Sequence, residues 1–296
     1  MALLMTAVLT IVVWLLCGLI AQQWWIEFAC FAATTYLMVI LNNDNALVRI
    51  YSRMVSCSFM VLSCAACYLF QDLRGSFVQL CVVAAYLLLF NCYHDKQSPG
   101  RMYYTFLCLG LASCTFVQIL YLVPFLWLFI AIHLNAMSLR NFLASLLGLL
   151  TPYWLVAAGL FFWQGKVDIL TAHFAELVKF QGLGDYYLSP SQLMVIIMIA
   201  ILAVTGIIHY LRTSYNDKIR IQQLYRFFMT MAVITAIFLL LQPQHENVLT
   251  RLLIVNTAPL IGHFIALTHT KWTNMVFYAI VAACLFVIAF NVWTLS

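Results

Sequence analysis

The sequence predicts an all-α fold, a polytopic transmembrane helix bundle of about 11 helices (10 to 11) forming a single integral membrane domain over residues 1–296. Three observations carry this. Eleven apolar stretches fill most of the chain, and the few charged residues collect in the gaps between them. The composition is 66% hydrophobic and 8% charged, with a mean hydropathy of +1.01, against roughly 25% charged in a globular protein. A water-soluble fold of this composition would leave apolar surface exposed on every side, and lipid hydrocarbon removes that penalty.

The stretches, in order, are Leu3–Ile20, Trp24–Leu41, Met54–Phe70, Ser76–Cys92, Tyr103–Thr115, Gln118–Leu134, Asn141–Phe162, Gln192–Leu211, Arg226–Leu241, Leu249–Leu267 and Trp272–Val292. Tyr103–Leu134 is short for two crossings and long for one, and Pro124 is expected to bend its second half. Charge decides between the two, because Lys and Arg are retained on the cytoplasmic side of short loops. With two short crossings here and the N-terminus inside, Arg49, Arg53, Lys96, Arg101, Arg140, Arg212, Lys218, Arg220, Arg226 and Lys271 face the cytoplasm, and only Arg74, Lys166, Lys179 and Arg251 face out. A single crossing would split the basic residues evenly. Two thin spans or a broken pair are therefore expected, in a bacterial inner membrane, with the N-terminus cytoplasmic and the C-terminus periplasmic. The first stretch has neither a basic n-region nor a small-x-small cleavage site, and it reads as a retained helix.

Residues 166–190 form the longest outer-face connection. Leu170, Phe174, Leu177 and Val178 recur at helical spacing while Asp168, His173, Glu176 and Lys179 project elsewhere, which predicts an interfacial amphipathic helix before the turn-prone QGLGDYYLSP. It serves either as a tether or as a lid contacting lipid headgroups.

Ionisable residues within spans must face protein or a water-filled cavity, so they are the candidate functional positions. Glu27, beside Trp24 and Trp25 at the outer end of the second stretch, is the candidate catalytic carboxylate. His263 lies deeper, where Pro259 and Gly262 are expected to open the helix and bare its carbonyls, with Asn256 two turns earlier. Lys166, Lys179 and Arg251 are the outer-face cations, and with His173 they are candidates for substrate or lipid contact. His209 and His133 stand near inner ends and carry less signal. In LNNDNALVRIYSR, Asp44 near Arg49 and Arg53 suits helix capping or recognition of a phosphate. The turn YHDKQSPGR places His94 and Asp95 beside Lys96 and Arg101 and reads as solvated.

No metal site is expected. The ten cysteines lie in or at the ends of apolar stretches, and Cys64 and Cys67, three apart on one helix face, read as core packing with no disulfide. HExxH, GxSxG and GxxxxGK[ST] are all missing, so a hydrolase or built-in ATPase has no starting motif, and no cofactor is expected. The formal charge of +5 is spread over inner loops as topology demands. It points to anionic lipid headgroups, at about 1 kcal/mol per basic residue, and not to nucleic acid.

The run from Arg101 to Trp163, with GLAS (Gly110, Leu111, Ala112, Ser113), Pro124, Arg140 and SLLGLLTPYW containing Gly148, Pro152 and Tyr153, resembles the middle of an uncharacterised family of multi-pass inner-membrane proteins from Bacteroidetes-type bacteria. It is similar, more distantly, to the middle helices of membrane-embedded glycosyltransferases of the GT-C type. That second resemblance implies a periplasm-facing site, a polyprenyl-phosphate-linked sugar donor, and a carboxylate in the first outer loop acting as base or metal ligand. Here that loop, Ala21–Trp25, is very short, and Glu27 is the only nearby carboxylate.

Three functional readings follow: a component of cell-envelope assembly without defined activity; a transporter or lipid flippase built on the interrupted regions at Pro259 and Pro124; and a glycosyltransferase-like enzyme using Glu27. The expected partners are membrane lipids, including anionic or polyprenyl-phosphate lipids.

Overall fold

The computed structural model describes residues 2–163, 168–179, 187–267 and 270–295. Among them every regular element is helical: α1 Ala2–Leu16, α2 Trp25–Asn45, α3 Met54–Ala65, α4 Leu73–Phe90, α5 Pro99–Thr115, α6 Val123–Ile132, α7 Leu139–Trp163, α8 Asp168–Ala175, α9 Pro190–Thr213, α10 Ile219–Leu241, α11 Glu246–Ala266 and α12 Lys271–Leu295. Each apolar stretch of the sequence contains one helix, and α8 falls in the connection over residues 166–190. Seven helices, α2, α4, α7 and α9 to α12, are long and apolar enough to cross a membrane, as in a multi-pass membrane protein. Helix length does not carry the count to eleven. At 1.5 Å per residue, the 17 residues of α5 reach about 25 Å, short of a hydrocarbon core about 30 Å thick. The 15-residue α1, 12-residue α3 and 10-residue α6 are shorter still.

The chain divides into two compact units, residues 1–76 with 183–296, and residues 77–182. In the first, α11 is the centre. Its span is 94% buried, against 22% for α12, 28% for α2 and 33% for α9, whose outer faces carry the exposed apolar residues that suit lipid. It packs on α3, α9 and α10. Pro259 and Gly262 do not open it: the helix runs unbroken through both. Packing on every side holds the segment helical despite the missing proline N–H, and Gly262 serves instead as a contact point. A Cβ there would lie 2.8 Å from the Val55 backbone, so the glycine lets α3 approach directly. Buried Asn291 of α12 donates to the Ala65 carbonyl at 2.7 Å, where α3 ends. That end separates Cys64, in α3, from Cys67, which opens a 3-10 turn over Cys67–Gln71, so the two thiols do not share one regular helix. Cys64 donates to Thr10 Oγ1, and the cysteines are free thiols.

In the second unit, α5 and α7 cross with backbones in contact. A Cβ at Gly148 would collide with the Tyr103 carbonyl, and one at Gly110 would meet the Leu149 carbonyl at 2.7 Å, so the small residues serve a contact inside the bundle. The predicted break over 103–134 falls at Phe116, whose extended backbone ends α5, and a 3-10 turn over Val117–Leu122 leads into α6. Pro124 does not bend a helix there. It occupies the first turn of α6, where its missing N–H costs nothing. The amphipathic segment is the short α8 followed by a 3-10 turn over Glu176–Val178. His173 donates a ring N–H to the Ser113 carbonyl at 2.9 Å, Tyr121 Oη donates to the Leu177 carbonyl, and Phe174 packs on Tyr153 with ring centroids 5.0 Å apart.

Candidate functional site

The buried ionisable groups Asp217, Glu246, Arg251 and His263 of the first unit lie toward the two ends of α11. Glu246 and His263 are 17 residues apart, about 25 Å along the axis at 1.5 Å per residue.

At the His263 end, α9 finishes in His209 and Tyr210, a 3-10 turn over Ser214–Asn216 reverses the chain, and α10 starts at Ile219. Gln222, in the first turn of α10, donates to the carbonyls of Ser214 and Asp217 at 2.9 and 3.0 Å and fixes the reversal. Asp217 is thereby turned inward with its side chain fully buried. One carboxylate oxygen lies 2.9 Å from Arg49 Nε, and the other 3.3 Å from Nε2 of the fully buried His263. Arg49 comes from the connection between α2 and α3. The same corner is tied to α10 by Arg220, which donates to Asn45 Oδ1 at 2.8 Å, and is closed by Asn42 donating to the Ser52 carbonyl at 2.8 Å. Tyr210 and Tyr225 stack with centroids 4.4 Å apart, and both set an edge against His263 at 5.1 and 5.0 Å. The His209 ring lies 5.6 Å from it.

At the opposite end Glu246, the first residue of α11, is buried. Its Oε1 accepts from Gln192 Nε2 at 2.5 Å and its Oε2 from Tyr68 Oη at 3.4 Å. Gln192 also accepts from the Ser189 backbone N–H at 2.7 Å, so one side chain caps α9 and meets the carboxylate. Arg251 is buried too. Its Nη2 donates to the carbonyls of Leu69 and Asp72, which leaves it facing protein and not the outer surface. Midway, Asn256 donates to Thr235 Oγ1 at 3.4 Å.

An apolar cavity of about 360 Å³ lies between α1, α3, α11 and α12, lined among others by Met5, Leu9, Cys57, Ile261, Ile280 and Cys284. Ile261 and Ile265 of its wall stand two residues before and after His263, so the cavity is at the level of that end of α11 but on the opposite face of the helix from the His263 ring. Its size falls within the range of small-molecule sites, and its walls suit hydrocarbon.

Of the residues singled out in the sequence, His263, Asn256 and Arg251 lie on α11, and His263 enters a cluster with the carboxylate of Asp217. Glu27 is half-buried in the first turn of α2. His173 and Lys179 belong to the second unit, where His173 is engaged by Ser113. Lys166 lies outside the described residues. Asp44 is exposed, and the acid that meets Arg49 is Asp217. At the turn over 93–101, Asp95 accepts from the Gln97 N–H and stands 3.9 Å from Arg101, as expected of a solvated turn. Sequence reasoning passed over Glu246, placed just before a span, and Asp217, the single acid in a basic loop. The available signal was Asp217 at the same predicted membrane face as His209 and His263. Among the described residues, no group of three or more His, Cys, Asp or Glu could hold a metal. No family model, curated protein or solved structure matches the chain.

Proposed function

We propose that this protein is a carrier of the flippase type, moving an amphipathic, lipid-linked anion across a bacterial inner membrane during envelope assembly, with the His263 end of α11 at the cytoplasm. The observation that supports it is α11 itself. The most buried span of the bundle is also the one that carries a carboxylate, a guanidinium, an amide and an imidazole. Such groups are costly in hydrocarbon and mark ion or substrate pathways. The apolar cavity on the opposite face of α11 gives a hydrocarbon chain a place at the level of the polar cluster, and an amphipathic cargo needs both kinds of surface. The orientation follows from the basic residues of the 212–226 loop and the Arg49–Arg53 corner, which favour the cytoplasmic face.

The test is reconstitution of the full chain into liposomes doped with a fluorescent phosphatidylglycerol or, separately, a fluorescent polyisoprenyl phosphate. Dithionite then bleaches only what reaches the outer leaflet. The expected result is bleaching beyond the outer-leaflet share for at least one probe, reduced when Ile280→Trp fills the cavity. Bleaching equal to that of protein-free liposomes with both probes overturns the proposal.

A further inference from the structure

The Asp217–His263 pair has the form of a base held by an acid. An ionised carboxylate only accepts hydrogen bonds, so the ring nitrogen that faces Asp217, Nε2, is the one that carries hydrogen. Neutral His263 then presents Nδ1 as a bare acceptor. Among the described residues Nδ1 of His263 has no hydrogen-bond partner, and neither do the hydroxyls of Tyr210 and Tyr225 or Nδ1 of His209. His263, Tyr210 and Tyr225 are at most 1% exposed. Most buried polar groups in proteins are paired. Nδ1 of His263 and three such atoms on the rings that contact it form a site with hydrogen-bonding capacity to spare.

We infer that His263 is a proton-binding site, in which Asp217 holds the ring through Nε2–H and Nδ1 takes up and releases the proton. Uptake converts imidazole and one proton to imidazolium, and no other bond changes. The groups facing the ring are Asp217 and Arg49 from the two loops, His209 and Tyr210 from α9, and Tyr225 from α10. Arg49 and Asp217 cancel in charge, so a proton on His263 gives the cluster a net positive charge. Arg49 and His263 use different oxygens of Asp217, so uptake strengthens the His263 contact while the Arg49 contact between the α2–α3 connection and the α9–α10 reversal stays in place. The role of this proton in driving transport rests on the carrier reading. The binding site itself does not.

His263→Gln separates the two jobs of the ring, because a glutamine amide can still donate to Asp217 but offers no base at the position of Nδ1. The experiment uses the full chain, labelled with ¹⁵N-histidine, in nanodiscs, and follows the ring signals that vanish in His263→Gln. At about pH 8 those signals show the Nε2–H tautomer, and as the pH is lowered they become those of imidazolium. A ring that stays neutral throughout, or one protonated on Nδ1 at pH 8, overturns the inference. Tyr225→Phe keeps the ring and removes the hydroxyl, and it is expected to displace the midpoint of the His263 titration. An unmoved midpoint overturns the inclusion of the Tyr225 hydroxyl in the site. The lipid-bleaching assay is scored separately: bleaching without His263 titration ends this inference alone, and titration without bleaching ends the carrier reading alone. Where both hold, His263→Gln abolishes the response of bleaching to an imposed pH difference.

Discussion

Glu246 and Asp217 are both buried carboxylates at an end of the same helix, yet they are stabilised in different ways. Glu246 is met by a neutral amide and a phenol, and Arg251, five residues along, is satisfied by backbone carbonyls. Asp217 is met by a guanidinium and an imidazole. Each joins three chain segments through one side chain. The first is tolerant, since neutral partners can turn to suit a changed group, whereas in the second no neighbour can replace the acid between a guanidinium and an imidazole. One end is a brace, and the other is where a single proton changes the charge.

Asp217→Ala should produce the largest effect. It leaves the buried imidazole N–H without its acceptor, about 1–3 kcal/mol, and adds the loss of the Arg49 contact and of a fully buried side chain's packing. Thermal unfolding in detergent should show a large fall in Tm, and a fall no greater than that of Glu246→Gln would erase the distinction between the two ends. Gly262→Ala comes next. Its Cβ would meet the Val55 backbone at 2.8 Å, and overpacking of this kind costs about 1–3 kcal/mol. The same unfolding experiment should place it below Asp217→Ala, with His263 signals displaced because α3 is pushed away beside that ring. Glu246→Gln should cost about 1 kcal/mol, the scale of one altered hydrogen bond, with Tyr68 and Gln192 rearranging around it. Asp44→Asn, at the exposed position the sequence associates with Arg49, should change stability by about 0.5 kcal/mol or less, as surface substitutions do. A large effect there would mean that Asp44, and not Asp217, governs the corner.

The positions of the helices were legible because the signal is local. About 20 apolar residues between charged gaps specify a helix wherever they occur, and all eleven stretches contain one. The crossing count was less legible. Helix length depends on where backbone turns interrupt an apolar run, as at Ala66 and Phe116, and those residues are themselves apolar and carry no warning. The candidate site was half legible. His263 stood out as an imidazole inside a span, but its partner lies 46 residues away and Arg49 a further 168 residues from that partner. Pro259 read as a break because proline lacks a donor, and surrounding helices override that locally.

The sequence alone determined that the chain is helical, that it carries helices suited to a membrane, and which few ionisable residues fall within them, because each depends on composition over one or two dozen consecutive residues. Only the tertiary structure decided that α11 is the buried centre, since its neighbours are similarly apolar and burial depends on which helices surround it. It alone decided which acid meets His263, because that pairing is set by two chain reversals converging at one end of the bundle and by no pattern within either.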